Sequence, residues 1–168
     1  MFQDESVFGR INNIVKCWVL ANQKRPTVLK QLVREFRYLF GAADPLTGDS
    51  CFRIFSHCDT VCMNVYLQEL SDDFKDDYIL LVCDNASWHK SKGLIIPLNI
   101  EIMHIPPHTP EMNPIEQIWD EIKEKHFSNQ IFKSLNEVVD RICEGVKSLQ
   151  VELILSIIGR GWMGEWLK

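Results

Sequence analysis

Acidic side chains stand at three places in the sequence where a carboxylate could do chemistry, and the first of these is Asp84. It directly follows the continuous apolar run 78–83, which is typical of a strand buried on both faces. Functional sites in open α/β sheets gather at the carboxyl ends of strands, so an acid at this position is a site candidate. A structural interpretation stays open beside it, because Asp-Asn after a strand also forms a turn or caps the next helix.

The second acid, Glu116, lies in the proline-rich stretch 106–119. Asn113 is a good helix N-cap, Pro114 suits the first helical position, and Glu116 stands where a capping box has its acid. A helix start therefore accounts for these three residues without any catalysis. It does not account for the three prolines just upstream, which fix the path of the chain and deliver the helix start to a defined place.

The third place is the pair Asp4 and Glu5 on a predicted first strand. Neighbouring residues of a strand point to opposite faces, so only one of the two can easily join a single site. An acidic pair near a terminus is usually solvated surface. Taken singly, none of the three places is decisive.

The elements that must position these acids begin with strands. Strands are predicted at residues 1–8, 16–21, 78–83 and 100–105. The segments 37–42 and 51–55 are predicted to form a hairpin about the Pro- and Gly-containing turn 44–49. Residues 22–26 have turn composition, whereas 27–40 are compatible with either strand or helix.

Helices are predicted at residues 60–74, along the stripe of Ile115, Ile118, Trp119 and Ile122, and over 135–146. Ser134 and Glu137 form a capping box at the start of the last of these. Strands followed by alternating helices and strands indicate a mixed sheet with helices packed on it. We therefore predict a single α/β domain over residues 1–168.

The composition is that of an ordinary globular domain, with 46% apolar and 24% charged residues. The longest apolar runs fall far short of the roughly 20 residues of a membrane helix, and no secretory signal is recognisable. Six scattered cysteines form no Cys-x-x-Cys pair, so a zinc site at His57, Cys58 and Cys62 has little support. Free thiols indicate a reducing compartment, and we expect a cytoplasmic protein with no membrane partner.

Taken together, the motifs resemble those of mariner-superfamily DDE transposases, in their bacterial and archaeal insertion-sequence branch. The strongest match is Asp-Asn-Ala-x-x-His over 84–89, followed by Pro-Pro-x-x-Pro-x-x-Asn-Pro-Ile-Glu-x-x-Trp over 106–119. Asp84 and Glu116 have 31 residues between them, close to the spacing of that superfamily. The resemblance extends over nearly the whole chain. Further similarity is found at Asp4-Glu5 with Trp18 and Arg25-Pro26, and at the hairpin turn Leu46-Thr47-Gly48.

The resemblance implies a ribonuclease H-like fold in which Asp4, Asp84 and Glu116 converge as an Asp-Asp-Glu triad. Crowded carboxylates repel one another, and divalent cations relieve that repulsion. The implied cofactor is a pair of Mg²⁺ or Mn²⁺ ions held by the three acids, since both metals prefer oxygen ligands. The family uses such ions to hydrolyse the ends of a mobile element and then to join the freed 3′-hydroxyls to target DNA.

Further residues and partners follow from the same resemblance. Asn85 and His89 belong to the matched motif and would orient Asp84 or contact phosphate. The implied partner is DNA, both as element ends and as a target with a TA dinucleotide, and the chain would work as a homodimer. Two basic clusters are candidates for contacts to the DNA backbone, although charge runs are usually solvated faces: Lys24 with Arg25, and Lys90 with Lys92.

The sequence also departs from the family pattern. Family members begin with helix-turn-helix modules, and only three residues precede Asp4, so we expect a catalytic part without that DNA-binding module. The net charge of −5 agrees with this, because binding phosphates takes Lys and Arg. Asn22 stands where Gly is expected, and His108-Thr109 stands where an aromatic or small residue followed by Ser is commoner. Two other interpretations stay open: an inactive remnant that dimerises or binds a partner, and a nuclease that cuts without strand transfer.

Overall fold

A meander of three antiparallel strands, extended by two parallel strands, forms the sheet of the computed structural model, which describes residues 1–107, 109 and 112–159. Within those residues the spatial order is β3-β2-β1-β4-β5. The bounds are Phe2–Ile11 for β1, Leu32–Ala43 for β2, Ser50–Phe55 for β3, Ile79–Cys83 for β4 and Ile100–His104 for β5. The predicted departure at His108, and Pro110 of the proline-rich stretch, lie outside the described residues.

The α-helices of the described chain are α1 at Thr60–Asp73, α2 at Glu116–Ile122, α3 at Leu135–Ser148 and α4 at Val151–Ile158. A short 3-10 helix, Ser87–Lys90, follows β4, and a π-helical turn, Lys123–Phe127, continues α2. The hydroxyl of Ser134 accepts the N–H of Glu137, as the capping box predicted. The Glu137 carboxylate, however, accepts the N–H of Lys133 and not that of Ser134, so the box forms only in part.

Helices pack on both faces of the sheet and divide the core into two clusters. On one face α1 packs against Phe40 of β2 and Leu81 of β4. On the other face α2, α3 and α4 cover Phe8 of β1 and Leu39 of β2. The predicted α/β class, a mixed sheet flanked by helices, is confirmed.

The predicted hairpin and the first helix are also confirmed. β2 and β3 pair antiparallel, with Ala42 opposite Cys51, and the chain reverses through a turn in which Gly48 has a φ of 78°. The segment 27–40, ambiguous from its periodicity, becomes a strand from Leu32 onwards. Asp59 caps α1 by accepting the N–H of Cys62, so the helix begins at its predicted start.

The predicted strand 16–21 is wrong. These residues belong to a long connection, residues 12–31, which joins β1 to β2 and forms nothing more regular than an isolated bridge and a turn. The apolar side chains of this connection have no sheet to enter: Trp18 is 103% exposed and Leu20 is 68% exposed. Apolar content alone suggested a strand, but a strand also needs a neighbour with which to pair.

Strand β4 is less enclosed than its apolar run predicted. Ile79, Leu81 and Cys83 are buried, whereas Leu80, on the opposite face, is 40% exposed. The expectation of a strand buried on both faces is therefore wrong for the described chain. Its cause is the placement of α2 to α4, whose buried cluster, among the described residues, includes no residue of β4.

Candidate active site

A cleft of about 360 Å³ lies beyond the end of β4, and all three predicted acids line it. Asp4 comes from β1, Asp84 is the residue after β4, and Glu116 is the first residue of α2. Side chains from the start, middle and second half of the chain therefore meet in one place. A larger groove, of about 890 Å³ and mainly apolar, is lined by other residues, so cavity size alone does not identify the site.

Strand pairing brings Asp4 next to Asp84. β1 and β4 run parallel with Phe2 beside Val82, and each of the two acids comes two residues further along its chain and lines the cleft. Because β1 continues past the end of β4, Asp4 projects from a paired strand while Asp84 projects from the loop that follows one. The cleft is thus bordered by a paired strand on one side and by the loop after β4 on the other. Sites in α/β sheets form at such carboxyl ends of strands.

Glu116 reaches the cleft because the start of α2 is tied to β1. The Asn113 side-chain amide donates to the carbonyl oxygen of Gln3 at 2.9 Å, and both residues are buried. The predicted cap is wrong, since α2 begins at Glu116 after a turn through Pro114 and Ile115. The side chain of Asn113 does not cap its own helix but holds the helix start against the first strand.

Asp4 accepts a hydrogen bond from an indole that the sequence analysis placed in a helix stripe and in the matched motif, but not among the site residues. The Nε1 of Trp119 donates to Oδ2 of Asp4 at 2.8 Å. Trp119 lies three residues after Glu116 in α2, a spacing that puts two side chains on the same helix face. That spacing is the signal that could have indicated a shared site. The missed residue is therefore a direct partner of the first acid.

Gly41 makes room for this indole. It pairs with Asp4 across β1 and β2, and a Cβ at this position would lie 2.5 Å from the Trp119 ring. Phe52 of β3 packs edge-on against the same ring, with centroids 6.0 Å apart. A glycine opposite the first acid thus lets a large side chain lie on the sheet and reach the carboxylate.

The electrostatics of the cleft favour a bound cation. Burial, together with the neighbouring carboxylates of Glu5 and Asp84, raises the pKa of Asp4 to about 7, against the lowering effect of the Trp119 hydrogen bond. Without a cation the Asp4 carboxyl is therefore partly protonated at neutral pH. A divalent cation would favour its charged form.

The donor set suits hard divalent ions that keep part of their water shell. The three acids offer carboxylate oxygens, which Mg²⁺ and Mn²⁺ prefer. Among the described residues, no three His, Cys, Asp or Glu side chains close on a single point. This pattern fits ions that are each held by one or two carboxylates and completed by water or substrate phosphate.

The neighbour of Asp4, Glu5, is buried and not solvated. Its side chain is 6% exposed, and Oε1 lies 3.0 Å from Nε2 of His89. The other ring nitrogen of His89, Nδ1, lies 2.9 Å from Oδ1 of Asp84. Burial lowers the pKa of His89, but its interactions with Cys83 and Glu5 outweigh burial and raise it. Of the adjacent pair it is Asp4 that lines the cleft, as strand alternation predicted for one of the two.

Two contacts shape the loop that carries Asp84. The side-chain amide of Asn85 donates to the carbonyl oxygen of Ile105, which joins this loop to the segment after β5. Oδ1 of Asp84 accepts the N–H of Ala86 at 2.8 Å, so Asp-Asn forms the turn that the structural interpretation predicted. The turn does not remove Asp84 from the cleft, because the residue still lines it.

The four predicted DNA-contacting residues lie on the surface. Lys24 and Arg25 are exposed in the connection 12–31, Lys90 ends the 3-10 helix, and Lys92 follows it. The described residues that line the cleft include none of these four. In the part of the chain that the structure describes, no helix is long and apolar enough to cross a membrane.

The chain belongs to the DDE superfamily endonucleases, because the sequence profile of that family matches residues 1–139. An uncharacterized protein of Sinorhizobium fredii (strain NBRC 101917 / NGR234), y4pE/y4sA, is 35% identical over 128 residues, which cover 74% of this chain and 95% of the relative. The class of protein that this match defines is thus an endonuclease of the DDE type.

Solved structures of similar fold come from the Mos1 transposase. Its paired-end complex with the left transposon end has a TM-score of 0.71 and 16% identity, covering 94% of this chain and 50% of that chain. The Mos1 mariner paired-end complex with Mn has a TM-score of 0.68 and 16% identity, with 94% and 50% covered. The chain spans about half the length of these proteins, and the ribonuclease H-like fold implied by the mariner resemblance is confirmed. The bacterial and archaeal branch stays a prediction.

Proposed function

We propose that the chain is the catalytic domain of a transposase, which cuts DNA at the ends of a mobile element and joins them to target DNA with divalent metal ions. The observation that carries this proposal is the meeting of Asp4, Asp84 and Glu116 in one cleft. Membership of the DDE endonuclease family supports it, and so does the fold shared with the Mos1 transposase.

Asp4, Asp84 and Glu116 would hold two Mg²⁺ or Mn²⁺ ions. When bound, such paired ions activate a water or a 3′-hydroxyl and stabilise the leaving oxygen of the phosphodiester. The carboxylate-only donor set and the raised pKa of Asp4 support a cation in this cleft. The solved Mos1 mariner complex with Mn is consistent with the same class of metal.

Each acid has a residue that orients it for this role. Trp119 holds the carboxylate of Asp4, His89 contacts that of Asp84, and Asn113 fixes the helix start that carries Glu116. Asn85 supports the same arrangement by holding the loop after β4. Such supporting residues are themselves fixed by packing and hydrogen bonds. They keep the metal ligands close to their working geometry before metal and substrate bind.

The proposed partner is DNA, as element ends and as target DNA with a TA dinucleotide, and the working complex is proposed to be a homodimer. Lys24, Arg25, Lys90 and Lys92 are exposed and would contact phosphates outside the cleft. The Mos1 complex with a transposon end supports DNA as the partner of this fold. We also propose that the protein acts in the cytoplasm. Its six cysteines are all free, which agrees with a reducing compartment.

Nicking of a supercoiled plasmid tests the proposal. The 168-residue chain is expected to nick DNA with Mn²⁺ or Mg²⁺ and to stop when EDTA is added. Asp84→Asn is expected to lower the rate by roughly a thousandfold, because a lost metal ligand removes several kcal/mol of transition-state stabilisation. Asp76→Asn is the matched control, since Asp76 is an exposed acid that does not line the cleft.

Two further outcomes separate the alternatives. A chain that nicks DNA but does not join pre-cleaved ends to a target is a nuclease without strand transfer. A chain whose Asp84→Asn variant nicks as fast as the parent, or that binds no Mn²⁺ at all, contradicts the metal site and favours the inactive remnant.

A further inference from the structure

Glu5 is a buried carboxylate that the proposed chemistry does not use. Its Oε1 accepts hydrogen bonds from Nε2 of Gln3 at 3.0 Å and from Nε1 of Trp88 at 3.3 Å, and it faces Nε2 of His89 at 3.0 Å. The side chain is 6% exposed. Burying a carboxylate is costly unless several donors surround it, so three donors around one oxygen indicate a specific arrangement.

His89 is the donor that leads from Glu5 to the cleft. Its side chain is 0% exposed, and its second ring nitrogen lies 2.9 Å from Oδ1 of Asp84. A carboxylate only accepts hydrogen bonds, so both ring nitrogens face acceptors. Nδ1 also lies 3.3 Å from the carbonyl oxygen of Asp84, a second acceptor on the same residue. The Trp88 ring lies edge-on to the imidazole, with centroids 5.9 Å apart, and limits its rotation further.

Asp84, by contrast, needs support from its neighbours. It follows the end of β4, and its side chain is 47% exposed, so neither strand pairing nor burial fixes its carboxylate. Its Oδ1 accepts from the N–H of Ala86 and contacts the ring of His89. The first partner belongs to the same loop and moves with it. The second is anchored in the core through Glu5, and it connects the carboxylate of Asp84 to β1.

We propose that Glu5 is a positioning residue, which acts through His89 to hold the carboxylate of Asp84 in the cleft. Adjacent residues of β1 thus serve the same site from its two sides, Asp4 by lining the cleft and Glu5 from behind the strand. The inference rests on the proposed function in one respect, namely that Asp84 binds metal. Residues that orient metal ligands without touching the metal typically change metal affinity by about 10–100-fold when they are mutated.

Calorimetry of Mn²⁺ binding to the full chain, with no DNA present, tests the inference. Glu5→Ala is expected to weaken Mn²⁺ binding by about 10–100-fold. Glu5→Gln keeps an oxygen that can accept from His89 and is expected to lose less, so the conservative variant rescues part of the affinity. Tyr66→Phe is the matched control, because it removes a buried hydrogen bond to Cys51 on the α1 face of the sheet without touching His89. Its Mn²⁺ affinity is expected to match that of the parent.

A double-mutant cycle tests whether Glu5 acts through His89. If it does, Glu5→Ala adds little to the loss already caused by His89→Gln. Equal losses from Glu5→Ala in both backgrounds overturn the proposed route. Parental affinity in folded Glu5→Ala, or in Glu5→Leu if the Ala variant does not fold, overturns the role itself. Parental affinity in Asp84→Asn is a different result, because it refutes the metal site and not the support behind it.

Discussion

Trp119 gives the first acid of the cleft a hydrogen bond from another element, and it does so from a residue that also fills the core. Because the same side chain packs in the core and donates to Asp4, a change in packing at Trp119 also affects the carboxylate of Asp4. Its indole N–H favours the charged form of Asp4, which burial disfavours. The consequence is that a small chemical change at this ring can be separated from a change in volume.

Trp119→Phe, compared with a variant that disturbs only the packing, makes that separation. The variant keeps an aromatic ring against Phe52 but removes the donor to Asp4, so we expect Mn²⁺ binding to weaken by about 10-fold or more. Calorimetry and plasmid nicking measure the two effects. Phe52→Leu disturbs the same packing without touching Asp4, and it is expected to lower stability while leaving Mn²⁺ affinity close to that of the parent. Equal Mn²⁺ losses in both variants would show that packing alone is responsible.

The raised pKa of Asp4 predicts that the stability of the metal-free protein depends on pH. Its pKa is about 7 in the folded chain and is raised from an ordinary value of 3.8. By linkage, a carboxyl whose pKa is raised on folding stabilises the folded chain. This contribution to the free energy of unfolding is fully present below pH 4 and is lost as the pH rises through 7. A tenfold difference in acidity between the folded and unfolded chains corresponds to about 1.4 kcal/mol, and to less where water reaches the group.

Urea unfolding in EDTA between about pH 4.5 and pH 8, a range that brackets the raised pKa, measures this dependence. The free energy of unfolding of the parent is expected to fall across that range relative to the Asp4→Asn variant, which has no carboxyl to ionise. If the two proteins show the same slope against pH, the buried carboxyl of Asp4 does not have the raised pKa.

At the scale of the elements, Gly41 in β2 decides how closely α2 approaches the sheet. Gly41→Ala would place a methyl group 2.5 Å from the Trp119 ring and 2.7 Å from Phe52. Overpacking of this kind costs about 1–3 kcal/mol. We expect lower stability, from urea unfolding, together with weaker Mn²⁺ binding, because the indole must move away from Asp4.

Gly93→Ala is the control for that substitution. The nearest atoms to a Cβ at Gly93 are 3.7 and 3.8 Å away, which is ordinary contact, so this variant is expected to match the parent in both measurements. Parental Mn²⁺ affinity in Gly41→Ala would show that α2 and the ring can shift without disturbing the first acid.

Elements with strong local signals were predictable from the sequence. The turn 44–49 determined the β2–β3 hairpin, and the apolar run before Asp84 indicated the strand that ends at the cleft. The connection 12–31 was not predictable, because its apolar residues resemble a strand while the absence of a pairing partner is a property of the whole fold. The burial of Glu5 was hidden for a similar reason. Alternation separates two faces of a strand, but it does not say what covers each one.

Asn113 shows how a correct local rule can give a wrong contact. Its position before a helix is that of an N-cap, yet its amide donates to Gln3 of β1. A tertiary partner 110 residues away competes successfully with the local cap. The resemblance to a family could indicate that Glu116 joins the site, whereas the tie that delivers it is visible only in three dimensions.

At the scale of the whole molecule, the cleft exists only when distant parts of the chain are folded together. Ions that bind the native cleft and not the unfolded chain stabilise the fold by mass action, by about 2.7 kcal/mol at a hundred times the dissociation constant. We therefore expect Mn²⁺ to raise the midpoint of urea unfolding of the parent. Asp84→Asn is expected to show a much smaller rise, and a rise equal to the parent's would locate the stabilising ion elsewhere.

The position of every residue in β1 relative to β2 has a further consequence. Asp4 stands opposite Gly41 and Glu5 opposite Phe40, and the pairing changes step only between Gly9 and Ile11. A slip of one residue ahead of that irregularity would turn both side chains to the opposite faces of the strand, and only one of the two carboxylates could then take the place of the other. A single insertion between Asp4 and that point would therefore carry Asp4 out of the cleft without replacing any residue of the site.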